Sequence, residues 1–459
     1  MRDDTLTPPR RIPTRLTHIE GPAGLLQSYR MSQRNVLELI PAEAFRAWVV
    51  TGTSPSRFHM VMAPDAIRRV LQTRAEDYPK SDLAQAILRP VIGPSMLIAE
   101  GADWRRQRRA AAPAFQPRHV EGLGAVMSAA AERAAARVAQ ADGRAADLLS
   151  EMVAATFEVI SDVTFSGEEG VGRDTVERAL FAYAAAAGKM SFLDVLGAPA
   201  WVPRPARMRP DPSLADLKTR ADETVAARRA RRGNRGSDTP DLLDLLLRAE
   251  GQGEEHLAGD DVRDNLLAFI VAGHETTALT LAWALYLLGF DPGAQERARD
   301  EARSVLGDRV AEPADLERLP FIRAVIDETL RLYPPAAFLS REAREVDYLA
   351  GAEVLPGDTV SVPVYAVHRH RELWERPDAF DPARFDGGVP VERYAYLPFG
   401  DGPRICIGAR FAIQEAMIIL ATLLARFRFR AVPGKVPVPT LIITLRPEGG
   451  VWLEVERLT

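Results

Sequence analysis

Apolar residues with helical spacing dominate the chain, and the longest such run lies in its second half. Between about Asp260 and Leu288 the residues are apolar on nearly every side, which predicts a buried helix. Gly289 follows this run and marks the C-terminus of the helix. At a rise of about 1.5 Å per residue, the helix is roughly 43 Å long. The polar residues His274 and Glu275 interrupt its centre, so we predict a core helix rather than a membrane span.

The same criteria predict the other elements of the chain. Helical spacing predicts helices at about 65–73, 101–112, 122–143, 145–167, 174–188, 211–233, 238–250, 321–332 and 409–426. Short alternating runs predict strands at 47–53, 57–63 and 353–364, and a C-terminal hairpin that pairs 440–445 with 451–455. Prolines and a lack of periodicity predict an irregular arm at about 1–40 and a loop at 81–99.

Composition narrows the possible classes of function. The chain has 459 residues, of which 47% are hydrophobic and 26% are charged, and its net charge is −5. This balance is typical of a globular protein and argues against general nucleic-acid binding. No linker or change in composition divides the sequence, so we expect residues 1–459 to form a single domain. One cysteine excludes an intramolecular disulfide, and the N-terminal residues lack the apolar stretch of a transmembrane anchor.

The single cysteine lies in a turn that glycines make possible. The stretch Phe399–Gly408 has glycines at 400, 402 and 408, and it places Cys406 just before the predicted helix at 409–426. The N-terminus of a helix stabilises negative charge, so this position favours the thiolate. A buried structural cysteine is the alternative interpretation, because that is the usual role of a lone cysteine. Zinc needs about four ligands, and one cysteine with seven scattered histidines does not offer such a cluster.

The residues of this turn form a pattern that is similar to a known motif. The order Phe-Gly-x-Gly-x-Arg-x-Cys-x-Gly resembles the haem-binding loop of the cytochrome P450 family. The resemblance implies that Cys406 binds the iron of haem b as a thiolate, the ligation that favours O–O cleavage. It also implies that Phe399, Gly400 and Gly408 shape the loop beside the cofactor.

The centre of the long predicted helix carries a second pattern. Ala272 and Gly273 leave room for a flat ligand, although a glycine within a helix costs about 1 kcal/mol relative to alanine. The Thr276 hydroxyl can donate to the Ala272 carbonyl one turn earlier. A packing glycine beside a buried polar pair is the alternative. The string Ala-Gly-His-Glu-Thr-Thr resembles the oxygen-binding helix of the P450 family, which implies that Glu275 and Thr276 deliver protons to dioxygen.

A third pattern concerns the carboxylates of the implied haem. Trp104 and Arg108 lie four residues apart, so they share one face of the predicted helix at 101–112. An indole N–H and a guanidinium only donate hydrogen bonds, which suits them to carboxylates, although a basic run is more often a solvated surface. The spacing resembles the haem-propionate clamp of the P450 family. The resemblance implies that Arg341 and Arg404 also contact the propionates.

Two further segments resemble the P450 family and occur in the same order along the chain. One contains Glu328 and Arg331, and the other contains Arg384. Glu328 and Arg331 lie three residues apart on the predicted helix at 321–332, although such pairs usually occur at surfaces. The resemblance implies that they form a buried ion network with Arg384, which fixes the cysteine loop. We interpret His368 and His370 as structural residues.

The five motifs together imply a fold and an activity. The fold implied is the triangular P450 fold, mainly α with a small β-rich lobe. The activity implied is that of a haem-thiolate monooxygenase, which inserts one oxygen atom from O₂ into a C–H bond or double bond of an apolar organic substrate. A peroxide-driven peroxygenase and a non-catalytic haem protein that binds a gas or another ligand are the alternatives.

The resemblance also implies partners and a location. Electrons would come from a separate ferredoxin- or flavodoxin-type protein with its reductase. Arg105 and Arg109 share the helix face next to the implied propionate clamp, and we expect them to attract an acidic donor. We expect a cytoplasmic, soluble, bacterial protein with no nucleic-acid partner. Residues 190–210 are expected to arch over the substrate entrance.

Overall fold

Helices form most of the structure, in agreement with the helical spacing of the apolar residues. A computed structural model of the chain describes residues 12–21, 24–53, 56–165, 171–186, 202, 212–231, 241–251, 256–387 and 391–458. Within these ranges the α-helices are α1 (Leu25–Arg34), α2 (Pro64–Arg68), α3 (Asp82–Ile92), α4 (Gly101–Ala111), α5 (Pro117–Gly122), α6 (Gly124–Ala139), α7 (Leu148–Phe165), α8 (Arg173–Ala186), α9 (Pro212–Arg231), α10 (Leu242–Arg248), α11 (Gly259–Phe290), α12 (Pro292–Leu306), α13 (Pro320–Leu332), α14 (Val364–Val367) and α15 (Ala409–Arg426). A π-helical turn, Arg69–Thr73, continues from α2.

The strands are short and belong to small sheets. They are β1 (Val49–Gly52), β2 (Phe58–Val61), β3 (Ala145–Asp147), β4 (Leu339–Glu342), β5 (Asp347–Leu349), β6 (Ala352–Val354), β7 (Thr359–Val362), β8 (Phe427–Ala431), β9 (Val438–Leu441), β10 (Leu445–Glu448) and β11 (Trp452–Arg457). The largest sheet has the order β1-β2-β7-β4, in which β2 and β7 are parallel and the other neighbours are antiparallel. A second sheet has the order β3-β11-β8, and the pairs β9-β10 and β5-β6 are separate.

The helix α11 lies at the centre of this arrangement. It packs against α7, α9, α13 and α15, and against β8 and β10. Its length and mean hydropathy are sufficient for a membrane span, but 72% of its most apolar window is buried inside the structure. This burial is what the apolar pattern of the run predicts for the core helix of a globular protein.

The apolar side chains form one large cluster and one small one. The large cluster runs from Leu37 to Val455 and includes residues of both helices and sheets. Within it, the Trp283 ring on α11 stacks on Tyr333, with ring centroids 3.9 Å apart. The small cluster, which we call the α3–α11 cluster, contains Val91, Ile92, Ile98 and Ala268, with Leu88, Leu180, Leu214, Val271 and Ile443 packed against it.

Two segments that the sequence predicts to be irregular contain helices. Within the predicted arm at 1–40, α1 occupies ten residues that contain no proline. Within the predicted loop at 81–99, α3 begins after Ser81, whose side-chain oxygen accepts the Ala84 N–H at 3.4 Å. Pro90 lies inside α3, where it removes one backbone donor without ending the helix.

The predicted C-terminal hairpin is wrong in its pairing. The strand β9 pairs with β10 through a turn at 442–444, with Leu441 opposite Leu445. The strand β11 lies between β3 and β8 instead. Since β3 lies far from β11 in sequence, a local alternation of apolar residues does not reveal this pairing. The segment at 190–210, which we predict to arch over the substrate entrance, lies outside the described residues except for Val202.

Candidate active site

The cysteine turn packs tightly against the π-helical turn that follows α2. Gly400 and Gly402 have φ angles of +70° and +75°, a region that glycine adopts without strain. A Cβ atom on Gly402 would overlap the carbonyl oxygen of Leu71. The Phe399 carbonyl accepts the backbone N–H of Cys406 at 2.9 Å, which closes the turn. Backbone geometry therefore requires the glycines that precede the cysteine.

The Cys406 side chain is exposed just before the start of α15. Desolvation by the surrounding protein raises the pKa of the Cys406 thiol. The Gly408 backbone N–H and the Arg108 charge oppose this shift. The N–H groups at the helix N-terminus thus act toward the thiolate, as predicted, but desolvation of the uncoordinated thiol outweighs them. A coordinating metal ion deprotonates a bound thiol outright, so the environment remains compatible with metal binding.

One stretch of α11 is exposed although the helix is buried on both sides of it. Ala272 is exposed and Thr276 is partly exposed, whereas residues 264–270 and 277–289 are buried. The Thr276 hydroxyl donates to the Ala272 carbonyl at 2.8 Å, which confirms the predicted hydrogen bond. This exposed stretch is the part of the central helix that a ligand can contact.

Gly273 and His274 face α7 rather than this exposed surface. A Cβ atom on Gly273 would lie 3.2 Å from Cδ1 of Ile160, closer than ordinary van der Waals contact. The His274 ring lies edge-on to Phe157, and its Nδ1 is 2.7 Å from the Ile270 carbonyl oxygen. For Gly273 the structure supports the alternative of a packing glycine.

Glu275 makes its polar contacts with the β9–β10 hairpin. Its Oε1 accepts from the Thr444 hydroxyl at 2.8 Å and from Nε of Arg446 at 2.7 Å. Only 12% of the Glu275 side chain is exposed. Glu275 and Thr276 are thus adjacent in sequence, but their side chains bond to different partners.

Cationic side chains converge next to α4. The Arg404 guanidinium lies over the Trp104 ring, 4.5 Å from the ring centroid, and pairs with Glu100. Burial lowers the pKa of Lys80 to about 7, and the charges of Arg341 and Arg404 act in the same direction. Burial and the Arg404 charge likewise lower the pKa of Arg341 to about 10. An isolated β-bridge between Lys80 and Arg341 places two of these cations on neighbouring backbones, and the lowered pKa values are consistent with poorly solvated surroundings.

The charges of this cluster do not balance. Glu100 is the one carboxylate that acts on Lys80, Arg341 and Arg404 within the part of the chain that the structure describes. Because a buried charge is costly unless it is paired, the cluster fits a ligand with two carboxylates. The sequence analysis misses Lys80 and Glu100, since neither belongs to a recognisable motif.

Comparisons with known proteins identify the family. The family model for cytochrome P450 matches residues 43–453 of the chain. The chain belongs to the cytochrome P450 family. This P450 is 31% identical over 438 residues to cyclooctatin synthase from Streptomyces melanosporofaciens, with 94% of each chain covered. It is 34% identical over 389 residues to cyclooctat-9-en-7-ol 5-monooxygenase from the same organism, covering 83% of this chain and 82% of the relative.

A solved structure agrees with the sequence comparisons. The crystal structure of the cytochrome P450DA heme domain matches this P450 with a TM-score of 0.76 and 25% sequence identity, over 90% of both chains. The predicted P450 fold, mainly helical with a small β-rich part, is therefore confirmed. The predicted class of enzyme, a haem-thiolate monooxygenase, is confirmed by the family and by a relative that is named a monooxygenase.

Haem b is the cofactor of this P450, as its family indicates. The residues present fit it, because Cys406 offers an accessible thiol at a helix N-terminus. The cluster of Lys80, Arg341 and Arg404 offers donors in excess of carboxylates, which suits two propionates. Ala272 offers a small side chain on the exposed stretch of the central helix.

The ion network that the P450 resemblance implies is present and buried. The Glu328 carboxylate accepts from Nε and Nη2 of Arg331 at 2.6 and 2.8 Å, and both side chains are fully buried. Nε of Arg384 lies 3.4 Å from Glu328, and the Asp381 N–H donates to Glu328 at 2.8 Å. Arg331 also donates to the backbone carbonyls of residues 368, 377 and 379. A buried ion pair stabilises only when its polar atoms are bonded in this way.

Proposed function

We propose that this P450 inserts one oxygen atom from O₂ into a C–H bond or double bond of an apolar organic substrate, with electrons from a separate protein. The observation that carries the proposal is the accessible Cys406 thiol at the start of α15, close to Arg108 and two residues after Arg404. Bound haem supplies the activation of dioxygen. The side chains of the chain hold the cofactor, admit the substrate and supply protons.

We assign the cofactor-binding roles from the charges and the turn geometry. Cys406 would hold the iron, and its turn keeps its shape through the Phe399 carbonyl, the left-handed Gly400 and the Gly408 N–H. The propionates would be held by side chains that only donate hydrogen bonds: Trp104, Arg108, Arg341, Arg404 and Lys80. Gly273 then acts indirectly, because it lets α11 approach α7.

Thr276 and Glu275 would deliver protons to the bound dioxygen. The Thr276 hydroxyl lies on the exposed stretch of α11 and can both donate and accept. Proton transfer through positioned side chains typically accelerates a reaction by about 10²–10⁴-fold. A non-catalytic haem protein has no use for such a pair, and a peroxygenase receives its oxygen already reduced. The pair therefore favours an O₂-dependent monooxygenase over both alternatives.

The substrate would be an uncharged molecule with a large apolar surface. The α3–α11 cluster provides aliphatic side chains from α3, α8, α9, α11 and the β9–β10 turn beside the exposed stretch of α11. The relative cyclooctat-9-en-7-ol 5-monooxygenase is named for a cyclic alkenol. We propose a cyclic hydrocarbon or alcohol of low polarity as the substrate class, because aliphatic walls select for shape and apolar area.

The electron donor would be an acidic ferredoxin- or flavodoxin-type protein, together with its reductase. Arg105 and Arg109 are exposed on α4, the helix that also carries Trp104 and Arg108. Arg105 pairs with Glu76 at 3.2 Å, and about half of its side chain remains exposed. Complementary charge of this kind mainly raises the rate of association.

We also propose a single domain and a cytoplasmic location in a bacterium. The large apolar cluster extends from Leu37 to Val455, which supports one folding unit for residues 1–459. The bacterial source of the two relatives supports the location.

The proposal is tested by isotope labelling with a purified ferredoxin and reductase and a library of cyclic apolar compounds. Compounds are first selected by the spectral shift that they cause in the haem protein. Turnover under ¹⁸O₂ should place one labelled atom in each product molecule. Label that enters only from hydrogen peroxide indicates a peroxygenase, and tight binding without any product indicates a non-catalytic haem protein. Cys406→Ala serves as the inactive control.

A further inference from the structure

Glu275 is held by two donors that belong to one hairpin. Thr444 lies in the β9–β10 turn and Arg446 lies on β10, and both donate to the same oxygen, Oε1. We propose that Thr444 and Arg446 are positioning residues, which hold the Glu275 carboxylate on the hairpin until it takes up a proton from solvent water and passes that proton to Thr276. This inference rests on the proposed role of Glu275 and Thr276 in proton delivery.

The hairpin gives Arg446 a fixed position relative to α11. Its neighbour Leu445 is fully buried, and the Leu445 N–H donates to the Pro335 carbonyl at 3.0 Å. The Leu445 carbonyl accepts from the indole N–H of Trp283 on α11 at 3.2 Å. Because the hairpin is hydrogen-bonded to the helix that carries Glu275, we expect the ion pair to open by rotation of its two side chains rather than by movement of the hairpin.

The Glu275–Arg446 pair differs from an ordinary surface ion pair in its burial. Only 12% of the Glu275 side chain is exposed, compared with 36% for Arg446. An exposed pair contributes little to stability, but loss of the cation from a mostly buried pair leaves a carboxylate without its partner. Such a carboxylate must find another donor. Solvent at the exposed stretch of α11 would then supply this donor.

Release of the Glu275 carboxylate would divert electrons from product formation to hydrogen peroxide. In monooxygenation, O₂ takes up two electrons from the donor protein and two protons, one oxygen atom enters the substrate and the other leaves as water. In the side reaction, the same two electrons and two protons convert O₂ to hydrogen peroxide, and the substrate remains unchanged. Water drawn in by a free Glu275 carboxylate would protonate dioxygen without the order that Thr276 imposes, so it would favour the side reaction.

The experiment compares Arg446→Gln, Thr444→Val, Glu275→Gln and the double variant Arg446→Gln/Glu275→Gln. Arg446→Gln should raise the fraction of reducing equivalents lost as hydrogen peroxide by about fivefold, and Thr444→Val should raise it less. The double variant should show the same loss as Glu275→Gln alone, because Arg446 acts through Glu275. Arg430→Gln is the matched control, since Arg430 pairs with Glu456 at 2.6 Å on a neighbouring sheet.

A second readout does not depend on turnover. The free energy of unfolding of the same four proteins forms a double-mutant cycle, which should give a favourable coupling between residues 275 and 446. A peroxide fraction in Arg446→Gln equal to that of the parent, additive losses in the double variant, or zero coupling would each overturn the inference and leave the proposed function intact. A parent protein that neither consumes reductant nor forms product would overturn the proposed function and this inference with it.

Discussion

The backbone N–H of Leu397 donates to Nε2 of His368 at 2.7 Å, two residues before the cysteine turn begins. Since Nε2 accepts this bond, the ring proton is on Nδ1, which lies 3.2 Å from the Arg331 carbonyl oxygen. His368 therefore connects the buried network of Glu328 and Arg331 to the segment that carries Cys406. This contact supports the structural role predicted for His368, and it explains how the network can fix the cysteine turn.

Acid should weaken the folded state through His368. Burial, with the Arg331 charge as the next cause, lowers the pKa of His368 from 6.5 to about 3. Between these values the unfolded chain binds a proton that the folded chain does not, so the free energy of unfolding falls as the pH falls. His368→Gln should reduce this slope by about 1.4 kcal/mol per pH unit.

Urea unfolding at several pH values between 6.5 and 4 measures the slope in the parent and in His368→Gln. Burial also lowers the pKa of His18, to about 4, so the slope should decrease without disappearing. Equal slopes in the two proteins would show that His368 is not neutral in the folded state.

Gly402→Ala should prevent the cysteine turn from packing on the segment after α2. The substitution adds a Cβ atom that overlaps the Leu71 carbonyl, in addition to the strain of a left-handed φ. Strain alone costs about 1–3 kcal/mol. Gly434→Ala is the matched control, because its φ is +76° and its Cβ meets nothing within 4 Å.

The measurement for this pair of variants is haem content per polypeptide after purification, together with the melting temperature. Gly402→Ala should lose both haem and stability, and Gly434→Ala should lose only a little stability. If the two variants are indistinguishable, contact with the Leu71 carbonyl is not what requires glycine at this position.

Removing a cation from the proposed propionate site should weaken haem retention. Lys80→Met and Arg108→Ala each remove a charged donor, and a charged hydrogen bond contributes about 1.5–3 kcal/mol. Transfer of haem to apomyoglobin should therefore accelerate at least about tenfold in each variant. Lys435→Met, which alters an exposed lysine on the loop between β8 and β9, is the control. Parent-like transfer from both Lys80→Met and Arg108→Ala would remove these residues from the propionate site.

Thr276→Ala should separate reductant consumption from product formation. The variant loses the hydroxyl on the exposed stretch of α11 and the bond to the Ala272 carbonyl. Reductant should still be consumed, with most of it recovered as hydrogen peroxide, because proton delivery is no longer ordered. Product and peroxide are measured in the same reaction, and Thr280→Ala is the control, since its buried hydroxyl donates to the Thr276 carbonyl. Full coupling in Thr276→Ala would exclude the proposed role.

The features that the sequence predicts well are those encoded by neighbouring residues. The glycines of the cysteine turn, the Thr276–Ala272 hydrogen bond and the Glu328–Arg331 pair each involve residues within a few positions of one another. Local geometry therefore follows from the order of residues. The same holds for α11, whose boundaries and burial follow from its apolar run.

The features that the sequence analysis misses depend on contacts between distant segments. Arg446 contacts Glu275, which lies 171 positions earlier in the sequence. The strand β11 pairs with β3, from the first half of the chain, and with β8. Gly273 shows the same limit, because only the packing of α11 on α7 distinguishes a packing glycine from a ligand contact. The pKa of Cys406 also depends on desolvation by the rest of the fold, which opposes the effect of the helix N-terminus and cannot be read from neighbouring residues.

Ligation of haem iron by Cys406 is the central claim, and the spectrum of the reduced protein with carbon monoxide tests it most directly. The account predicts the red-shifted Soret band of a thiolate-ligated haem in the parent protein and its absence in Cys406→Ala. A band typical of histidine ligation in freshly reduced parent protein, or an unchanged band in Cys406→Ala, would contradict the account.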